Sequence, residues 1–434
     1  MSYKTKILIG LMLFVAFNSY AFQHGEPTAT PNIILIMADD LGYETLGVNG
    51  GQSYQTPNLD KMAQDGMNFT QCYATPLCTT SRVQLMTGKY NFRNYIGFGL
   101  LDPKEKTFAH YLKESGYSTL IAGKWQLYGN AHQQELAGGK VGTTPEMAGF
   151  DDYCLWQIKQ LGSRYKAPLI TSPRKTFAYK GAFGPDIFTN YITDFIEENT
   201  DEPFFVYYPM VLTHDPFVPT PDDPDFGDFD AASKVNDPAY FGQMVNYMDK
   251  LIGRIWSKVD SLGIAEDTLI IFIGDNGTDN DIISLVDNKS FQGDKGQPTI
   301  AGTHVPMIAY WKGHIDEGKV NENLVDFTDF LPTLMEAAQV KQEDAPTDGI
   351  SFYPQLINQV SKTRKWVFCH YDPHWGKFKK SRYVHDERLM LYDDGRIFNL
   401  INDPLEMSTT QEDALNQLDK KKLKEFKEVL DNYQ

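Results

Sequence analysis

Cysteine is scarce in this 434-residue chain: there are four, Cys72, Cys78, Cys154 and Cys369. Their spacing gives neither a zinc-binding pattern nor the framework of a disulfide-stapled fold. Basic residues are outnumbered, 40 lysines and arginines against 57 aspartates and glutamates. The formal charge of −17 excludes a general binder of nucleic acid or other polyanions. An anionic ligand therefore needs a local basic pocket. Long apolar runs are missing after the first residues, which argues against spanning helices. Internal repeats and low-complexity linkers are missing too.

What is present begins with an export signal. Lys4 and Lys6 precede an apolar run over residues 7–17, and Ser19-Tyr20-Ala21 is a small-x-small cleavage site. Residues 1–21 thus read as a signal peptide. The run is too short to cross a bilayer comfortably, and no cysteine follows it closely, so a bacterial lipid anchor is not expected. The mature protein is expected in the periplasm or outside the cell, free of the membrane. Loss of Lys4 and Lys6 takes its formal charge to −19.

Apolar runs then alternate with helical patterns. Residues 32–37 read as a strand buried on both faces, ending at Asp39-Asp40-Leu41-Gly42. Thr56 caps a helix that starts at Pro57 and ends near Gly66. Thr107 caps another, before a strand at 117–122 and the run Gly123-Lys124-Trp125-Gln126. Taken alone, Lys124 reads as a surface lysine, on the same side of extended chain as Gln126. Residues 129–184 show little periodicity and read as an insertion over the sheet edge, where substrate loops sit. A helix at 185–198, a strand at 204–208 and a loop carrying His214 follow. The helix at 238–262 is the clearest, with apolar positions recurring at three and four. The strand at 268–273 ends in Gly274-Asp275-Asn276-Gly277, a second apolar strand followed by oxygen donors. A strand at 307–311 and a helix at 326–338 complete the large unit.

From about Thr347 short runs alternate with turns, Asp393-Asp394-Gly395 among them, and a charged helix at 413–432 finishes the chain. The expected organisation is a signal peptide (1–21), an α/β catalytic domain with a large, mostly parallel sheet flanked by helices (22–346), and a small antiparallel sheet with a terminal helix (347–434). In a parallel sheet, ligands gather outside the carboxyl ends of the strands. Asp39, Asp40, Asp275, Asn276 and His214 all fall at that edge. Hard oxygen donors from two distant strands suit calcium, and magnesium less well.

One stretch organises these parts: Pro76-Leu77-Cys78-Thr79-Thr80-Ser81-Arg82, running on to Thr87-Gly88. Thr79 or Thr80 is the expected N-cap and Gly88 the stop, which puts Cys78 at the amino end of a helix, where an anion is favoured. Arg82, four residues on, returns to the same face. Cys-x-x-Ser-Arg followed by Thr-Gly resembles the sulfatase signature, in which the cysteine is oxidised to formylglycine (3-oxoalanine) by a formylglycine-generating enzyme. The resemblance extends along the mature chain, through Thr56-Pro57-Asn58-Leu59, Gly123-Lys124-Trp125, His214-x-Pro216, Asp275-Asn276-Gly277, Lys295-Gly296 and Asp403-Pro404-x-Glu406.

The resemblance implies an alkaline-phosphatase-like fold and a set of roles. Asp39, Asp40, Asp275 and Asn276 would bind one calcium ion together with the formylglycine at Cys78. Arg82, Lys124 and Lys295 would hold sulfate oxygens, and the leaving alcohol would be protonated by His214 or Lys295. The substrate implied is a sulfated sugar or oligosaccharide. Gln126, Arg164, His304, Asp372, His374, Trp375 and Lys377 are the candidate substrate contacts. Three positions depart from the family. Gln126 stands where a histidine is usual, and an amide cannot accept a proton at neutral pH. Thr80 replaces proline or alanine, and His304 stands where arginine is common. The rivals are a phosphatase, phosphodiesterase or phosphonate hydrolase of the same superfamily, and a sulfated-glycan binding protein with an unconverted Cys78.

Overall fold

A computed structural model describes residues 30–433 apart from 231, 233 and 342–344. The expected signal peptide at 1–21 lies outside the described residues. The strands are β1 (Asn32–Ala38), β2 (Met67–Tyr73), β3 (Ser118–Lys124), β4 (Asp152–Trp156), β5 (Leu169–Thr171), β6 (Thr176–Ala178), β7 (Phe204–Pro209), β8 (Thr268–Gly274), β9 (Ile283–Val286), β10 (Lys289–Gln292), β11 (His304–Tyr310), β12 (Lys319–Asn321) and β13 (Val325–Asp326). Four more, β14 (Val367–Tyr371), β15 (Ser381–His385), β16 (Leu389–Tyr392) and β17 (Ile397–Asn399), form a separate antiparallel sheet.

The main sheet runs β12-β2-β11-β8-β1-β7-β3-β4-β5-β6. Pairing is parallel from β8 through β1, β7 and β3 to β4, and β11 runs antiparallel between β8 and β2. Period-two alternation decides the layers. Ile33, Leu35 and Met37 face one apolar core, while Ile34, Ile36 and Ala38 face another on the opposite side. Both faces are thus covered, which is why the central strands are continuous apolar runs.

Helix α1 (Pro57–Gln64) begins where expected, but Thr56 gives it no side-chain cap. Asp249 does so instead, accepting the amides of Asn58 and Leu59 from the neighbouring helix Phe241–Ser261. Helix α2 (Cys78–Thr87) corrects a second expected cap: its N-cap is Leu77, and Thr79 and Thr80 lie inside it. Thr80 Oγ1 bonds the Leu77 carbonyl at 2.8 Å and Thr75 Oγ1 at 2.5 Å, so the hydroxyl is spent on the turn before the helix. Gly88 ends α2 at φ 64°, a left-handed position that glycine adopts without strain. The 129–184 stretch, expected as an insertion over the sheet edge, instead supplies strands of the sheet itself, β4, β5 and β6. Strand β2 and the β9–β10 hairpin are elements the apolar pattern does not announce.

The C-terminal helix Gln417–Asn432 packs Leu423, Phe426 and Leu430 against one face of the small sheet. The other face, with Tyr371, Tyr383, Met390 and Tyr392, packs on Leu77, Cys78 and Phe98. Arg364 ties the two sheets from inside, its Nε 2.8 Å from Asp329 Oδ2. The small sheet therefore sits directly on the start of α2.

Candidate functional site

Six chain segments deliver polar side chains to one edge of the main sheet, Lys295 coming from the loop after β10 and the other five as follows. β1 ends at Asp39 and Asp40, β3 at Lys124, β8 at Asp275 and Asn276; the loop after β7 carries His214, and α2, just after β2, begins with Cys78. All of these except His214 and Lys295 are almost wholly buried. One sulfur and two carboxylate oxygens, from Cys78, Asp39 and Asp275, lie within 4.8 Å of one another.

Three cations balance the three carboxylates. Lys124 Nζ sits 2.9 and 2.8 Å from the two Asp39 oxygens. Arg82 Nη2 is 3.1 Å from Asp275 Oδ2 and 3.4 Å from Asp39 Oδ1. Lys295 donates to Asp40 Oδ2 and lies 3.8 Å from Asp215 and 3.7 Å from Asp279. Lys124 is 1% exposed, which overturns its reading as a surface lysine. Burial raises the pKa of Asp39, but Lys124, His214 and Arg82 outweigh it and hold this carboxyl well below the usual range. Burial and the neighbouring Asp39 charge push Asp275 up to about 7. The Cys78 thiol is pushed up by burial, against the pull of Lys124.

Two polar atoms in this buried cluster lack a hydrogen-bond partner among the described residues: Asn276 Oδ1 and Arg82 Nε. An orphan acceptor beside carboxylates calls for a cation, and an orphan donor beside it calls for an anion. Asn276 Nδ2 meanwhile donates to Asp40 Oδ1 at 2.9 Å, which orients the amide with its oxygen free. The donor set is thus mostly hard oxygen and fits a divalent cation of the calcium type. The fit is competitive, because Lys124 and Lys295 now sit on the same carboxylates.

His214 is held by its own neighbour. Its Nδ1 lies 2.8 Å from Asp215 Oδ1 and 2.6 Å from the Asp215 carbonyl oxygen, which sets Nδ1 as the protonated nitrogen. Nε2 then faces the site, 3.4 Å from Lys295 Nζ and 3.8 Å from Asp40. Burial lowers the His214 pKa despite Asp40. Gln126 enters from the end of β3. Its Oε1 is 3.8 Å from Cys78 Sγ, the thiol donating, and its backbone amide donates to Gln157. Asp40, Gln126, Gln157 and His374 all have left-handed backbone, with φ of 60°, 48°, 56° and 50°. Non-glycine residues are rarely held so, and such positions gather at functional sites.

The remaining candidates divide. Trp375 stacks on Phe98, centroids 4.5 Å apart, so one ring face is already covered. His374 is exposed and paired with Asp372 at 3.2 Å. Lys377 lines a groove of about 570 Å³ with Lys379, Lys380, Arg396 and residues 297–299. Arg164 lies over Trp156 beside the His214 loop. His304 is not gathered with the others: it is packed between Tyr43 and Tyr73, its Nε2 3.0 Å from the Thr70 carbonyl, and burial takes its pKa down to about 4. Sequence reasoning passed over Tyr95, whose hydroxyl donates to the Pro373 carbonyl at 2.9 Å, and over Asp215. Only the Asp215 position next to His214 carried any signal.

With the geometry in hand, comparison with known proteins is informative. The Sulfatase family profile matches residues 31–340, and that of the C-terminal part of N-sulphoglucosamine sulphohydrolase matches 299–432. Arylsulfatase A of Homo sapiens is 30% identical over 373 residues, covering 78% of this chain and 70% of that protein. N-acetylgalactosamine-6-sulfatase of Mus musculus is 29% identical over 370 residues, covering 75% of this chain and 66% of its own. The chain thus spans about two thirds of the length of these relatives. The crystal structure of Ps i-CgsB in complex with k-i-k-neocarrahexaose superposes with a TM-score of 0.74 at 23% identity, covering 93% of this chain and 92% of that one, a likeness of fold alone.

Proposed function

This chain belongs to the sulfatase family, whose curated relatives are sulfuric ester hydrolases, and we propose that it is an exported sulfatase acting on a sulfated carbohydrate. The observation that carries the proposal is the junction at Cys78. A buried helix start meets three carboxylates, three cations, an orphan acceptor and an orphan donor. A sulfate monoester needs its oxygens neutralised before a nucleophile can approach sulfur, and this junction supplies the charges. That N-acetylgalactosamine-6-sulfatase is among the relatives supports a sugar as the alcohol part. Residues 22–346 are taken as the catalytic domain, completed by the subdomain 347–434, and residues 1–21 as the signal that exports it. Among the described residues no helix is long and apolar enough to cross a membrane.

Asp39, Asp40, Asp275 and Asn276, with residue 78, would hold one calcium ion. Bound there, it would neutralise sulfate charge and acidify the hydroxyl of the formylglycine hydrate that replaces the Cys78 thiol after maturation. Arg82 and Lys124, which rest on Asp39 here, would be free for the sulfate oxygens with a cation on that carboxylate, Arg82 forking two of them and Lys124 neutralising a third. Lys295 does so from the opposite side. The leaving oxygen takes its proton from the Lys295–His214 pair. Nζ donates that proton, and Nε2, fixed by Asp215 and 3.4 Å from Nζ, accepts a hydrogen bond from it and keeps the ammonium in position. Gln126 keeps hydrogen-bond contact with residue 78. Trp375, Asp372 and His374 border the sugar.

The second reading, a sulfated-glycan binding protein without turnover, draws on Gln126, which cannot take a proton where the family has a histidine. Mass analysis of the peptide containing Cys78 from the native host separates the two. The aldehyde or its hydrate is expected, and only thiol or disulfide in fully active protein would refute the mechanism. Sulfate release from a panel of sulfated mono- and oligosaccharides tests the activity itself, and no release from any member counts against it.

A further inference from the structure

One cation near the site has no carboxylate within ion-pair distance among the described residues. Arg82, Lys124 and Lys295 each rest on a carboxylate. Arg164 does not: among the described residues no acidic side chain pairs with it, and its buried Nη1 has no hydrogen-bond partner. This happens in a chain with 57 acidic residues, where a cation without a partner is not for want of carboxylates. A half-buried, unpaired guanidinium is costly.

Its place is fixed rather than accidental. The guanidinium carbon lies over the Trp156 ring, 4.2 Å from its centroid, a cation–π contact that holds the head group in place. Trp156 is the register partner of Lys124 across β3 and β4, so this contact stands one strand from the sulfate cations. The next residue pins the backbone. Tyr165 donates its hydroxyl to the carbonyls of Val211 and His214, and its own carbonyl accepts from Gly184 N at 2.8 Å. At Gly184 a Cβ would come within 2.0 Å of the Arg164 carbonyl oxygen, so glycine permits this close passage. Arg164 is thereby carried to the His214 loop, near enough that its charge helps hold the Asp215 carboxyl down.

A guanidinium held against an aromatic ring, with Nη1 unused, matches a planar carboxylate or two oxygens of a sulfate. We propose that Arg164 binds a second anionic group of the substrate, a carboxylate or a further sulfate on the same or the adjoining sugar. The preferred substrate is then a glycan with at least two negative groups close to the ester that is cleaved. This inference rests on the sulfatase reading above and narrows its substrate class.

The test uses the full mature chain and matched hexosamine 6-sulfates: one linked to a neutral hexose, one linked to a uronic acid, and one carrying a second sulfate. The wild type is expected to favour one of the doubly charged members by about tenfold or more, the bias expressed in KM. The uronate and second-sulfate arms identify the group. Arg164→Met should raise KM for that member about tenfold to a hundredfold with little change in kcat, and should lose at least fivefold less on the neutral-linked member. Arg164→Lys should recover part of the loss, which a folding defect would not allow. Equal treatment of the three probes by the wild type, or equal losses on all in Arg164→Met, would overturn the proposal. Failure to release sulfate from any of them would count against the sulfatase reading instead. Calorimetry of the same probes on Cys78→Ala protein then decides on Arg164 alone, and equal affinity for all three would refute its role.

Discussion

The amide oxygen of Gln126 lies 3.8 Å from the sulfur of Cys78, at the position where the family resemblance implies a histidine. Gln126 therefore keeps the contact and loses the proton transfer. General acid–base help is worth about a hundredfold or more where it limits the rate. If breakdown of the sulfated intermediate is slowed here, Gln126→His should match or exceed the wild-type steady-state rate, by up to about tenfold. The φ of 48° at this position is one that histidine also visits, so the swap should fold. A loss of more than tenfold would show that the amide has a fitted role of its own.

Metal dependence follows from the orphan Asn276 oxygen and the three carboxylates. Exhaustive chelation should abolish sulfate release, and calcium should restore it. Asp39→Asn and Asp275→Asn keep side-chain volume and should lower turnover by about a thousandfold or more. The same variants should lose the rise in Tm that calcium gives the wild type by binding the folded state. Full activity after chelation, confirmed by elemental analysis, contradicts this account.

Asp215 touches no reacting atom in the proposed mechanism, yet it orients His214. Asp215→Asn should leave the protein folded and lower the rate most for alkyl sulfates, whose leaving oxygen needs a proton. A loss of about tenfold on an alkyl sulfate against less than threefold on an aryl sulfate with an acidic phenol is expected. Uniform losses on both would mean that Asp215 only props the loop.

His304 and His385 are buried, and burial takes each pKa from 6.5 down to about 4. The neutral ring is favoured in the folded state, so the unfolded chain binds more protons between pH 6.5 and 4. Stability is therefore full above pH 6.5 and falls as pH drops to about 4, by at most about 3 kcal/mol for each ring. Urea unfolding at stepped pH should show the decline, and His304→Phe should make it shallower by one ring's share, since His370, its pKa also taken down to about 4 by burial, adds to it. An unchanged slope in His304→Phe would place the ring outside the packed layer between Tyr43 and Tyr73.

The strands that end in site residues were legible because burial on both faces leaves no room for polar positions. Residues 32–37 and 268–273 read as strands for that reason, and Asp39, Asp40, Asp275 and Asn276 follow from their ends. Strand β2 was not legible: Asn68, Thr70 and Gln71 interrupt its apolar pattern although it sits inside the sheet. The caps expected at Thr56 and at Thr79 or Thr80 failed for a related reason, whereas Thr107 does cap its helix. A threonine before a helix advertises a hydroxyl, but tertiary partners such as Asp249 can take the amides first. Lys124 and His304 show the same limit from opposite directions. Neither the burial of the lysine nor the removal of the histidine into an aromatic layer is written in the neighbouring residues.

The helix that starts at Cys78 is buried along its whole length, and the sulfur-bearing residue itself is only 2% exposed. In the folded protein no second enzyme can reach that side chain. Oxidation to the aldehyde, which the proposed activity requires, must then be finished while the chain is still open. One wall over it is the small sheet, whose Tyr371 hydroxyl donates to the Gly296 carbonyl at 2.9 Å, while Gly296 N donates to Pro76. Tyr371 is translated about 290 residues after Cys78. At about 5–20 residues per second, synthesis alone holds the gate open for about 15 to 60 s. The order of residues along the chain thus works as a clock: under the proposed activity, maturation has a deadline set by the docking of the small sheet over Cys78.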